Sequence, residues 1–210
     1  MRLLLTLTQG VSYVFSDKTN VDDIEILDQW SSGSNQKKVP SRIAYHPTLA
    51  WGYDVEPGQL AYCWTKLLLD QNAPTTYHDD EKLRKAYGPG YKATVDGKSA
   101  EDIVADYLSL LYNHVMRELE RKISAPILYV TPISFWFTHP ALWLIRAQTS
   151  TMNAAAKAGF GSRPQNEIHL IKEPEAAAIF CLSDQVSTGP DPLIEVRLLS
   201  VHDSHRAFRR

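Results

Sequence analysis

The chain has 210 residues and a mass of 23.7 kDa, which fits one large domain or two small ones. Hydrophobic residues make up 44% and charged residues 22%, a globular composition that excludes disordered, collagen-like and coiled-coil chains. With 22 basic against 24 acidic residues the net charge is −2, so there is no basic excess to act as a footprint for nucleic acid or anionic lipid.

Cys63 and Cys181 are the two cysteines, and both lie in apolar, helix-like text. They cannot form a disulfide scaffold, and no N-x-S/T sequon occurs, so a reduced, cytoplasmic setting is expected. The opening MRLLLTLTQG is shorter than a signal peptide's apolar region plus cleavage site. The most apolar stretch, residues 133–145 (ISFWFTHPALWLI), is interrupted by His139 and Pro140. It falls well short of the roughly 20 residues that span a bilayer. It reads as a buried core segment, and no membrane span is expected.

The first part of the chain reads as strands. Residues 10–16 carry β-branched and aromatic side chains between turn residues. Residues 24–30 alternate over most of their length, as a half-buried strand does. Residues 31–38 are a polar loop. Residues 39–45 form a strand that starts near Pro40, which points to an edge position. Residues 49–55 can pair with it as a hairpin, with His46-Pro47-Thr48 in the turn. Residues 60–70 turn helical, and residues 72–97 are a mobile stretch rich in Pro, Gly and charge, with a turn or two near 81–87.

The best-defined element is a helix over 99–122. Ser99 and Asp102 form a capping-box-like start. Ile103, Tyr107, Leu110, Leu111, His114, Val115 and Leu119 recur at steps of three and four. Pro126 follows as a stop. Residues 127–131 (ILYVT) read as a fully buried parallel strand. A helix capped near Thr138 ends at Gly159, helped by the alanines at 154–156. Residues 167–171 are the next strand, and Pro174 opens a helix over 175–182. The order predicts an α/β fold: a three-layer arrangement of a mixed sheet with flanking helices.

Several familiar signatures are absent. Gly97-Lys98-Ser99 resembles the end of a P-loop, but Lys92 stands where that loop needs glycine, so a helix cap is the reading. No G-x-G-x-x-G and no G-x-S-x-G occur. His202 and His205 lack companions with zinc spacing, and Asp79-Asp80-Glu81 reads as a solvated helix start. No direct protein ligand for a metal is assigned.

One combination stands out. The strand at 168–171 runs into Lys172-Glu173-Pro174-Glu175-Ala176-Ala177-Ala178-Ile179. Small alanines allow close helix–sheet packing, and Pro174 fixes a sharp entry. Glu173 is then held at the carboxyl end of a parallel strand, where α/β folds place ligands. A plain helix-capping role and a water- or metal-orienting role both fit this position.

The segment EIHLIKEPEAAAIF resembles the "INEPTAAAIAY" type of segment in the seventy-kilodalton heat-shock chaperone family, within the actin-like ATPase superfamily of ribonuclease-H-like fold. Further similarities follow in the family's order. Residues 10–15 resemble the strand after the first phosphate loop, and 39–45 resemble V-P-S-x-V/I-A-Y. Residues 64–70 resemble the "W-F-K-L-L-L-D" helix of divergent members, 129–132 the V-T-V-P strand, and 152–161 the "A-A-x-x-A-G-F/L" helix end. The divergent branch containing the large-insert twelve-type chaperones and many fungal relatives fits best. The resemblance implies a first lobe over 10–182, with 1–9 and 183–210 as irregular termini. It implies ATP and magnesium as cofactors, and client proteins or co-chaperones as partners. It gives Glu173 a role in positioning magnesium or the attacking water, Lys66 contact with the transferred phosphate, and Pro132 the switch that reports nucleotide state.

The family pattern breaks in three places. Residues 1–9 stand where D-x-G-T-T is expected, and 198–210 contain nothing like D-x-G-G-G-T. Backbone N–H groups of both loops normally cradle phosphates, so hydrolysis by this chain alone is not expected. The stretch after Pro132 is longer and more apolar than the family's V-P-A-x-W-S-D-x-A. The abrupt breaks lead to the expectation that residues 1–9, 133–147 and 197–210 are intron-derived, in a truncated gene or gene model. An inactive interaction module of the same fold, using 136–145 as its surface, and a non-functional fragment are the alternative readings.

Overall fold

The computed structural model describes residues 1–6, 10–18, 21–31, 35–63, 65–70, 95 and 97–186. The strands among them are β1 (Arg2–Thr6), β2 (Gly10–Val14), β3 (Glu25–Ile26), β4 (Arg42–Ala44), β5 (Ala50–Trp51), β6 (Tyr62–Cys63), β7 (Ser134–His139) and β8 (Glu167–Lys172). The helices are α1 (Ala100–Ile123), α2 (Ala125–Val130), α3 (Ile145–Lys157) and α4 (Glu173–Val186). Five strands form one mixed sheet in the order β3-β2-β1-β7-β8, and three form a small second sheet in the order β5-β4-β6. In the large sheet β1, β2 and β3 pair antiparallel, whereas β1, β7 and β8 run parallel. The architecture is therefore mixed α/β. Among the described residues no helix is long and apolar enough to cross a membrane.

The core sits on one face of the large sheet. Alternation turns Val11 and Tyr13 of β2, and Phe135 and Phe137 of β7, inward. Phe160, just beyond α3, packs edge-to-face on Phe135 and Phe137 with ring centroids 5.0 Å apart, and on Tyr112 of α1 at 4.9 Å. Ile103, Leu108, Val115 and Leu119 of α1 are fully buried beside them. On the opposite face Trp136 and His169 stack at 4.4 Å, as their direct pairing in the β7–β8 register requires. Helix α4 packs on β7 and β8.

Helix α1 starts as its sequence predicts. The Ser99 hydroxyl accepts the Asp102 backbone N–H at 3.1 Å, and the Asp102 carboxylate accepts the Ser99 N–H at 3.1 Å. Lys157, in the last turn of α3, donates to the same carboxylate at 2.7 Å and so ties the two helices together. Gly159 ends α3 with φ +105, a conformation in which a side chain is strained.

Several expectations need correction. Residues 127–131 are not a strand. They lie in and just past α2, and Ile127, Tyr129 and Val130 are exposed. Pro126 in its first turn favours the helix, and Arg163 caps its far end, donating to the Leu128, Tyr129 and Thr131 carbonyls at 2.6, 3.1 and 3.0 Å. The buried parallel strand is the next apolar run, β7. Thr138 therefore lies within a strand, and α3 begins at Ile145. Strand β4 is the middle strand of the small sheet, since pairing starts at Arg42, past Pro40. Only Glu25–Ile26 of residues 24–30 pairs in the sheet. Residues 60–70 supply β6 and a 3-10 turn, Thr65–Leu69.

The first nine residues are not irregular throughout: Arg2–Thr6 is β1, between β2 and β7. The last helix runs on to Val186, past residue 182. Two of the three breaks in the resemblance thus supply neighbouring central strands. Burial of Ile133, Phe135 and Phe137 argues against residues 133–147 being foreign to the fold. The expectations for 72–94 and for the histidines and arginines of the tail lie outside the described residues.

Two measurements check this account. Phe160→Ala is expected to cost about 3–5 kcal/mol in urea unfolding, since it empties a site walled by three aromatic rings. The Lys157 and Ser99 hydrogen bonds hold the Asp102 carboxyl below its ordinary value of 3.8. Its contribution is therefore full above that value and lost as pH falls through the lower folded value. Thermal unfolding of Asp102→Asn against the wild type should show a gap at neutral pH that closes in strong acid.

Candidate functional site

Parallel strands β7 and β8 end side by side. His139, the last residue of β7, pairs with Lys172, the last of β8, so Glu173 emerges one step beyond the sheet edge. Pro174 lies in the first turn of α4 and carries the chain away sharply. The Thr65–Leu69 turn packs against α1 and α3 and brings in Lys66. Lys66 and Glu173, 107 residues apart in sequence, form a direct ion pair between Nζ and Oε1.

The two partners are unequally solvated. The Lys66 side chain is 8% exposed and that of Glu173 is 41% exposed. Burial pushes the Lys66 ammonium below its ordinary 10.5, while the Glu173 carboxylate opposes that shift. The ammonium also reaches the Thr138 carbonyl at 3.5 Å and lies 5.4 Å from the centre of the Trp143 ring. The Thr138 hydroxyl is buried and has no hydrogen-bond partner among the described residues. The site thus offers one buried cation and one half-solvated carboxylate at the carboxyl edge of a parallel sheet.

Pro132 is not part of this cluster. It precedes β7, at the opposite end of a six-residue strand, about 20 Å away. Its carbonyl accepts a 3.1 Å hydrogen bond from the Met1 ammonium. The proline at the site's end of β7 is Pro140. Sequence reasoning missed Thr138, His139 and Trp143 as neighbours of the site. The available signal was Pro140-Ala141-Leu142-Trp143, a P-A-x-W match hidden by the preference for a strand at 127–131.

Residues 136–145 do not form one surface. Phe137, Thr138, His139 and Trp143 are buried, and of the large apolar side chains Leu142, Leu144 and Ile145 stand out, at 89%, 57% and 80% exposure. A separate concavity of about 500 Å³ lies against the small sheet, lined by His46, Ala50, Asp54, Glu56, Leu60 and others, with neither Lys66 nor Glu173 in its walls. Among the described residues no group of three or more His, Cys, Asp or Glu could hold a metal ion. No family model matches the chain, and no curated protein matches it significantly.

The unequal solvation gives a testable asymmetry. Glu173→Gln strands a buried ammonium and is expected to cost about 1–3 kcal/mol, whereas Lys66→Met leaves a carboxylate that water can reach and should cost less. Denaturant midpoints of the two variants and of the double variant check it. Equal costs would show that the pair is not held in the asymmetric setting described.

Proposed function

We propose that the chain is the first lobe of an actin-like, ribonuclease-H-like ATPase domain of the heat-shock-chaperone type, and that Lys66 and Glu173 face the phosphate end of its nucleotide site. The observation that carries this reading is the meeting of those two residues at the carboxyl ends of β7 and β8. Each was singled out from a separate segment of the chain, and the sheet edge that unites them is where α/β folds take ligands. A three-stranded antiparallel meander extended by two parallel strands, with helical crossovers, supports the fold assignment.

In this reading the switch proline is Pro140 and not Pro132. Pro140, Ala141, Trp143 and Ala147 fit the corresponding positions of V-P-A-x-W-S-D-x-A, while His139, Leu144 and Ile145 depart from it. Pro140 follows the strand residue that pairs beside Glu173, so a shift there is felt at the site.

The donor set fits the phosphate end of ATP and a magnesium ion reached through water, because it holds one cation and one carboxylate and no direct metal cage. Magnesium, when bound, neutralises phosphate charge. Lys66 binds a phosphate oxygen once Glu173 releases it. Glu173, released from Lys66, would be free to orient a water molecule. The burial of Lys66 strengthens its attraction for an anion. Both glycine-rich phosphate loops are missing from the sequence, so the chain binds nucleotide more weakly than a full clamp and does not turn it over alone. Clients and co-chaperones are the partners this reading implies.

A second reading, an inactive interaction module, is favoured by one observation: Leu142, Leu144 and Ile145 are exposed together beside the site. Thermal unfolding with ATP and magnesium separates the two. The nucleotide reading expects dose-dependent stabilisation, about 2.7 kcal/mol at a hundredfold excess over Kd, lost in Lys66→Ala. A wild-type midpoint that ATP leaves unmoved overturns it in favour of the interaction module.

A further inference from the structure

A lysine side chain is long and loses much rotamer freedom when fixed, so a buried ammonium in one place needs a reason. Glu173 supplies charge from one side only. Thr138 supplies a carbonyl at 3.5 Å, which is a long contact. Trp143 supplies a further wall.

Trp143 belongs to a run of four apolar residues, Leu142 to Ile145, of which it alone is buried, at 7% exposure. General hydrophobicity does not select it, since its neighbours are equally apolar and stand in solvent. Its place is fixed by specific contacts. Its backbone N–H donates to the Pro140 carbonyl at 3.2 Å, and its own carbonyl accepts from Gln148 Nε2 at 3.0 Å. Its ring lies nearly parallel to that of His139, 19° between planes and 6.4 Å between centres. His139 is itself 3% exposed, with Nδ1 2.9 Å from the Pro140 carbonyl. The indole lies beside His139 and presents its π-system to the Lys66 ammonium at 5.4 Å, within cation–π range.

We propose that Trp143 is the positioning residue for Lys66, its indole holding the ammonium against Glu173 at the carboxyl ends of β7 and β8. The consequence for ligands rests on the nucleotide reading above: an incoming anion then meets a cation already in place, with no lysine rotamer left to order.

Trp143→Leu and Trp143→Phe test this, with side-chain amine acetylation read residue by residue by mass spectrometry. Lys98 and Lys157, which pair with Asp106 and Asp102 elsewhere, are the internal references. Trp143→Leu is expected to raise Lys66 acetylation about fivefold relative to those references, and Trp143→Phe to restore most of the protection, because only an aromatic face attracts the cation. A role in packing alone predicts that Leu and Phe behave alike, and that result overturns the proposal. So does unchanged Lys66 labelling in a Trp143→Leu protein whose reference lysines react normally.

A second measurement does not depend on the leucine variant folding. In protein labelled with 5-fluorotryptophan, Trp143→Phe assigns the Trp143 fluorine resonance. Lys66→Met should then shift that resonance more than those of Trp30 and Trp51, and a Trp143 resonance that stays still overturns the proposal. Magnesium-ATP thermal shifts on the same proteins separate the two claims. If wild type shows no shift, the nucleotide reading fails while the labelling and fluorine results decide the role of Trp143.

Discussion

Strand β7 is held between β1 and β8 in a parallel register. The side-chain period of a strand is two, so a slip of one residue would turn Phe135 and Phe137 away from Phe160 and expose them. The same slip would carry His139 and Pro140 out of line with Lys172 and Glu173. Core packing and site geometry therefore depend on one register, and the aromatic cluster enforces it. Tyr112 links that cluster to α1, so the helix with the strongest cap is also fastened to the strand that sets the site.

A buried ammonium beside a half-solvated carboxylate is a poor way to gain stability. Desolvation of Lys66 works against the pair, and an apolar residue of similar volume would pack there without that cost. Other ion pairs are solvated on both sides: Lys157 with Asp102, and Lys122 with Glu25, where Glu25 also takes the Tyr13 hydroxyl at 2.6 Å. Those pairs sit on exposed surface and join elements distant in sequence. The Lys66–Glu173 pair joins the end of a sheet to a short 3-10 turn, and its cation is the buried member. An anion that draws Glu173 aside would find a charge with little water around it, which makes the arrangement suited to binding.

Local chemistry was legible in the sequence, and competition between segments was not. The Ser99–Asp102 cap, the buried stripe of α1 and the Pro174 entry into α4 each depend on a few adjacent residues, and each is found where those residues put it. The apolar runs at 127–131 and 134–139 could not be told apart in that way. Both are short, and neither has a period that separates strand from helix. What decides between them is long-range: Arg163 satisfies the end of α2, and β1 and β8 are available to flank β7. The wrong choice moved the strand's terminal proline from Pro140 to Pro132 and hid Trp143. Lys66 and Glu173 were legible because each lies in a segment with its own strong pattern, although nothing in their spacing announces a contact across 107 residues.

The loop between β7 and α3 meets two opposed demands. It must hold Trp143 inward over Lys66, and its flanking residues Leu142, Leu144 and Ile145 are left in water at a free-energy cost. Leu144 occupies the N-cap of α3 without any side-chain hydrogen bond, a position where Ser, Thr, Asp or Asn is favoured by about 1 kcal/mol. A sequence selected only for stability would place a polar cap there and polar neighbours beside it. Leu144 and Ile145 are the residues that stand there instead. The loop therefore combines an inward face that positions the cation with an apolar outward face.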